Sequence, residues 1–132
     1  MDGNPVNDIV LLRAKIASIR EAQDRRQEPG QVDLGAWFRV ELNIVEPLIG
    51  NVGSSHAEVE LKMAAIPRAE TLKDVYVLGR KLPDGRIQAI QWSYASSGLC
   101  IQHDLAKTYL IDGEVHSLRQ QGRIKWNAQC DW

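Results

Sequence analysis

The stretch Phe38-Arg39-Val40-Glu41-Leu42-Asn43-Ile44 decides the fold class. Apolar and polar side chains alternate through it without a break. Phe38, Val40, Leu42 and Ile44 fall on one side, and Arg39, Glu41 and Asn43 on the other. Successive side chains of an extended chain point to opposite faces. A period of two therefore marks a strand with one buried and one wetted face.

The same pattern recurs on both sides of this stretch. Ala57, Val59, Leu61 and Met63 alternate with Glu58, Glu60 and Lys62. Upstream, Ile9 to Ile19 begins as an apolar run and then sets Leu12, Ala14 and Ile16 opposite Arg13 and Lys15. That order predicts a long strand passing from buried to half-exposed. Downstream, Val75 to Lys81 and Arg86 to Tyr94 flank Leu82-Pro83-Asp84-Gly85. Proline presets φ for a turn and glycine accepts φ > 0 at its end, so a hairpin is predicted. Trp92 and Tyr94 alternate in step with Ile90 and read as core on one strand face.

The connections are less regular. Gln23 to Gly35 is polar with Pro and Gly and reads as a connector; Pro47 to Ser55 reads as a loop. Ala64 to Lys73 has room for one helical turn. In the last third, Asp112-Gly113 could turn a hairpin between Thr108–Ile111 and Glu114–Leu118. The i, i+3 spacing of Val115 and Leu118 before Gly122 favours instead a short helix over Glu114 to Gln121. Arg123 to Cys130 reads as extended. These elements predict an all-β domain with a minor helix: a five-stranded OB-like barrel plus a short C-terminal helix, spanning 1–132 as one domain. A β-sandwich is the alternative. Closing the sheet would remove the edges of strands this apolar.

Composition narrows function by exclusion. Sixteen basic residues against 17 acidic leave a net charge of −1, so the broad basic field of non-specific nucleic-acid binding is missing. No apolar run approaches the ~20 residues of a membrane-spanning helix. Met1 to Asp8 is polar and lacks a signal pattern, so export would require that a signal had already been removed.

Few residues suggest chemistry. Cys100 and His103 form C-x-x-H, which could pair a thiolate with a base. Cys100, His103, His116 and Cys130 are zinc-ligand types, but no pair has the spacing of a structural site. Glu58 and Glu60 share a strand face and read as solvated. Phosphate loops, nucleophile elbows and metalloprotease helices are absent from the sequence. No catalytic residue, metal or cofactor is expected. Trp37 lies opposite the buried Phe38 and shares its face with Arg39 and Glu41, so Trp37, Arg39 and Glu41 are the candidate contact residues. The Gln23–Gly35 and Pro47–Ser55 loops are further candidates.

Asp8-Ile9-Val10-Leu11-Leu12-Arg13-Ala14-Lys15 resembles the first barrel strand of the netrin-like domain found in tissue inhibitors of metalloproteinases. Val75-Tyr76-Val77-Leu78-Gly79-Arg80-Lys81-Leu82-Pro83-Asp84-Gly85-Arg86-Ile87 is similar to that family's strand, G-K/R-L-x-D-G turn and return strand. Phe38 to Gly50 resembles its alternating second strand, and the order and spacing agree over Asp8 to Tyr94. The resemblance implies an OB barrel that binds other proteins. It does not imply metalloproteinase inhibition, because the family's zinc-chelating N-terminal cysteine is missing. Val6 and Trp92 stand where two further family cysteines are expected. Cys130 resembles the cysteine that closes the family domain, whose usual partner would lie near Val6.

These readings converge on a non-enzymatic module whose partner is another protein, with no nucleic acid and no membrane span. A small enzyme using Cys100 and His103 and an OB-type single-stranded nucleic-acid binder are the alternatives. Few large apolar residues follow Tyr94, so weak packing and a Cys100–Cys130 disulfide as an anchor are expected there, against two free thiols. A disulfide would fit a periplasmic or extracellular location, and free thiols the cytoplasm.

Overall fold

The computed structural model describes residues 8–21, 36–63, 74–127 and 130. Five strands form a closed barrel: β1 (Ile9–Glu21), β2 (Ala36–Ile49), β3 (His56–Met63), β4 (Asp74–Lys81) and β5 (Ile87–Tyr94). The order around the barrel is β1-β2-β3-β5-β4, and β4 returns to pair with β1. All pairings are antiparallel except β3 with β5, which run parallel through Val59↔Ile87 and Glu60↔Gln88. The fold is the OB-like barrel expected, and closure excludes the sandwich.

Alternation builds the barrel interior. Val10, Leu12, Ala14 and Ile16 of β1 meet Phe38, Val40 and Leu42 of β2. Val59, Leu61, Val75, Val77 and Ile87 complete this core. The opposite face of early β1 is buried too, because Ile9 and Leu11 join Tyr76 and Leu78 in a second core outside the barrel. That outer layer stops short of Arg13 and Lys15, which accounts for the change from double-sided to single-sided burial along β1.

Two helices cover the outer core, where the sequence predicts one. α1 (His103–Thr108) and α2 (Asp112–Gln120) bury Ala106, Val115 and Leu118 against it. The weak packing expected after Tyr94 is therefore incorrect: Leu99, Ile101, Ile111 and Ile124 are buried as well. These residues are scattered in sequence, and helical turns plus a parallel bridge between Leu99 and Trp126 gather them. The Lys125 N–H also donates to Tyr76 Oη at 2.9 Å, tying the last segment to β4. No described helix is long and apolar enough to cross a membrane.

Two further differences have local causes. β2 continues to Ile49 where a loop from Pro47 is expected, because the long β1 supplies partners as far as Leu11↔Ile49. Proline has no N–H to give the ladder, and Pro47 sits beside a register shift between Leu11 and Leu12. In β5, Leu78 pairs with Gln91 and Gly79 with Ala89, leaving Ile90 as an extra residue. This bulge reverses the alternation. Ile90 packs on the outer core, while Trp92 and Tyr94 pack on the barrel interior with Ala89. The three do not share a face. Trp92 and Tyr94 meet edge to face, with ring centroids 5.1 Å apart.

The hairpin forms as read. The Gly85 N–H donates to the Leu82 carbonyl at 3.0 Å, and Gly85 has φ +91°. The helical turn expected within Ala64–Lys73 lies outside the described residues.

Candidate binding surface

The polar side chains of β2 and β3 stand on the outside of the barrel. Strand pairing sets Arg39 opposite Glu60, Glu41 opposite Glu58 and Asn43 opposite His56. Across the other edge of β2, Arg20 of β1 faces Arg39. Like charges thus stand in register at two places, which is unfavourable for directly opposed side chains. Opposite charges compensate, Arg39 with Glu60 in register and with Glu58 on the diagonal. Arg20 reaches Glu58 at 3.7 Å, and Arg39 Nε stands 4.0 Å from both Glu58 and Glu60. Arg86 then binds Glu60 and Asp84, each at 2.7 Å. Six groups of alternating sign run from β1 to the β4–β5 turn.

Glu60 is the pivot of this chain. Its expected solvation is incorrect: it is 6% exposed, the one buried charged residue among those described. Burying a carboxylate is costly without a cation and hydrogen bonds. Arg86 Nη1 donates to Glu60 Oε2, and Arg39 adds a second guanidinium. At the turn, the Arg86 backbone N–H and Nε both donate to Asp84. These hydrogen bonds hold the Asp84 carboxyl below its ordinary value and raise Arg86 in return.

Glu41 lies outside the ladder. It lines an open groove of about 330 Å³ with Asn43, His56 and Glu58, floored by Leu42 and Ala57. His56 Nδ1 lies 2.8 Å from Asn43 Oδ1, an arrangement in which a protonated Nδ1 donates to the amide oxygen. Among the described residues, no group of three His, Cys, Asp or Glu side chains is placed to hold a metal ion.

No family model, curated protein or solved structure matches this chain.

Trp37, Arg39 and Glu41 occupy successive outward positions of β2, with Trp37 and Arg39 half-buried and Glu41 exposed. The structure adds Arg20, Glu58, Glu60 and Arg86. Alternation in β3 is the only sequence signal for the two acids; Arg20 is recruited from β1 and Arg86 from the β4–β5 turn. The Gln23–Gly35 connector lies outside the described residues. Pro47–Ser55 is partly strand, with Leu48 and Ile49 buried.

Cys100 and Cys130 are joined in a disulfide, with Cα atoms 5.5 Å apart. A sulfur bonded in this way is not a thiolate, which removes the nucleophile from the Cys100–His103 pairing. His103 opens α1 and is exposed.

Proposed function

We propose that this chain is a non-enzymatic protein-binding module on a netrin-like barrel, using the outward face of β2 with Trp37, Arg39 and Glu41 as contacts. The observation that carries this reading is the alternating ladder from Arg20 to Asp84. It holds long side chains in place before any partner arrives, which reduces the ordering cost of association. It also pairs the guanidinium groups with carboxylates. A single-stranded nucleic-acid site needs a cationic groove beside its stacking aromatics. A surface of balanced charge around a tryptophan fits a protein partner better, since aromatic and arginine anchors dominate such contacts.

Support for the netrin-like reading comes from the segments that carry the resemblance. They are β1, β2 and the β4–β5 hairpin, in barrel positions that neighbour one another. Cys130 departs from the family pattern by pairing with Cys100. The disulfide supports a periplasmic or extracellular setting, where such bonds persist.

The test is affinity capture from extracts of the source cells. The immobilised protein should retain a specific protein and lose it on Trp37→Ala or Glu41→Lys. Unchanged capture by both variants would remove this face from the proposal. Quenching of tryptophan fluorescence by a single-stranded oligonucleotide at low salt would favour the nucleic-acid reading instead.

A further inference from the structure

The groove beside Glu41 is the part of the β2–β3 face that the charged ladder leaves open. Within the ladder, Arg20, Arg39 and Arg86 stand against Glu58, Glu60 and Asp84, so their charges cancel. Glu41 is the acid left over. It is exposed and has no ion-pair or hydrogen-bond partner among the described residues. On the β1 side the register sets Lys15 opposite Asn43, but Lys15 is exposed and forms no ion pair there.

The groove holds about 330 Å³. Glu41 and Asn43 stand along one side, Glu58 and His56 along the other, and Leu42 and Ala57 lie between them. Its polar groups offer acceptors. Glu58 is approached by Arg20 at 3.7 Å and by Arg39 at 4.0 Å, both too long for hydrogen bonds, so its oxygens keep their accepting capacity. With Nδ1 donating to Asn43, a neutral His56 ring keeps Nε2 as an acceptor. Glu41 and Glu58 face each other directly, which is unfavourable for like charges, and a cation between them removes that cost.

Among the described residues no three ligand groups converge as a metal ion requires. A cation here must therefore bring several donors of its own. The lysine ammonium carries three on a compact charge, and its aliphatic stem suits an apolar floor. The flat fork of arginine matches one carboxylate edge-on rather than two on facing walls.

We infer that this groove receives a lysine side chain of the protein partner, the ammonium between Glu41 and Glu58 and the stem over Leu42 and Ala57. The lysine site rests on the protein-binding role of the β2 face and gives the chemistry of the partner's contact.

The probes are N-acetyl-lysine N-methylamide and its norleucine analogue, which keeps the stem and lacks the ammonium. Each is titrated into the full oxidised chain and followed by backbone amide chemical shifts. Saturable shifts are expected at Glu41, Asn43, His56 and Glu58. The lysine probe should bind about three- to fivefold more tightly, the fold-change of an exposed ion pair. That margin should vanish at roughly 1 M salt. Glu41→Gln should bring the lysine probe down towards the norleucine level and leave the norleucine probe unchanged. Equal affinity of the two probes for the wild-type chain would overturn the proposal, even where Trp37→Ala abolishes partner capture. So would the absence of saturable shifts at these four residues. Capture that neither Trp37→Ala nor Glu41→Lys disturbs would instead fail the protein-binding reading, and the lysine site with it, whatever the probes show.

Discussion

Arg86 donates from Nη1 to Glu60 Oε2 at 2.7 Å across the parallel β3–β5 seam that closes the barrel. Only two residue pairs register along that seam, Val59 with Ile87 and Glu60 with Gln88. The ion pair therefore sits where the sheet is held by few backbone bonds. Removing Glu60 takes the buried acceptor from Arg86 and a neighbouring carboxylate from Arg39. Glu60→Ala should destabilise the fold by about 1.5–3 kcal/mol, the range for a hydrogen bond to a charged group. Urea unfolding with an unchanged m-value would report it. A double-mutant cycle with Arg86→Ala should show coupling, because the two side chains touch.

The Asp84–Arg86 contact sets a pH dependence. The Asp84 carboxyl is held low chiefly by the Arg86 backbone N–H, then by its side chain. A depressed folded-state value means that the contribution is present above the unfolded carboxylate value. It is lost as pH falls through the lower folded value. Carboxyl carbon shifts should therefore give Asp84 a titration midpoint below that of an unfolded reference peptide. Arg86→Leu should move the midpoint upward, though only in part, since the backbone donor remains.

Gly79 leaves no space for a side chain. A Cβ there would lie 2.9 Å from the Gln88 carbonyl oxygen and closer still to the Ile87 side chain. Both neighbours belong to β5 beside its bulge, and neither is the free end of a long chain. Gly79→Ala should cost about 1–3 kcal/mol through overpacking. A fall in thermal midpoint, with the barrel circular-dichroism spectrum retained at low temperature, would check this.

The disulfide closes a loop across a separation of 30 residues. In the chain-entropy model a loop of that length contributes about 3–4 kcal/mol. Cys130→Ser should lower stability by that order. The intact mass of denatured, unreduced protein should show no carbamidomethyl addition after alkylation. Two additions would show free thiols.

Leu110 joins α1 to α2 at φ +60° and is 58% exposed. Left-handed backbone costs a non-glycine residue roughly 1–2 kcal/mol. The exposed side chain gains little burial in return. Leu110→Gly should stabilise the fold by about 0.5–1 kcal/mol, the strain relieved less the extra freedom of the unfolded chain. A raised denaturation midpoint is the expected result.

The sequence by itself determined the strands and what faces inward. Alternation is a local property, set by the pleat of each segment, so Phe38 to Ile44 and Ala57 to Leu61 are legible one residue at a time. The hairpin is legible for the same reason, since Pro83 and Gly85 act on their own dihedrals. Only the tertiary structure decided the rest. The bulge at Ile90 turns Trp92 and Tyr94 inward because β4 has no residue to pair with it. The burial of Glu60 follows from β5 lying alongside β3 and bringing Arg86 with it. Trp126 meets Arg119 because a parallel bridge folds the last segment back against Leu99. Each of these contacts joins residues from separate segments, and no local pattern encodes which segments become neighbours when the barrel closes.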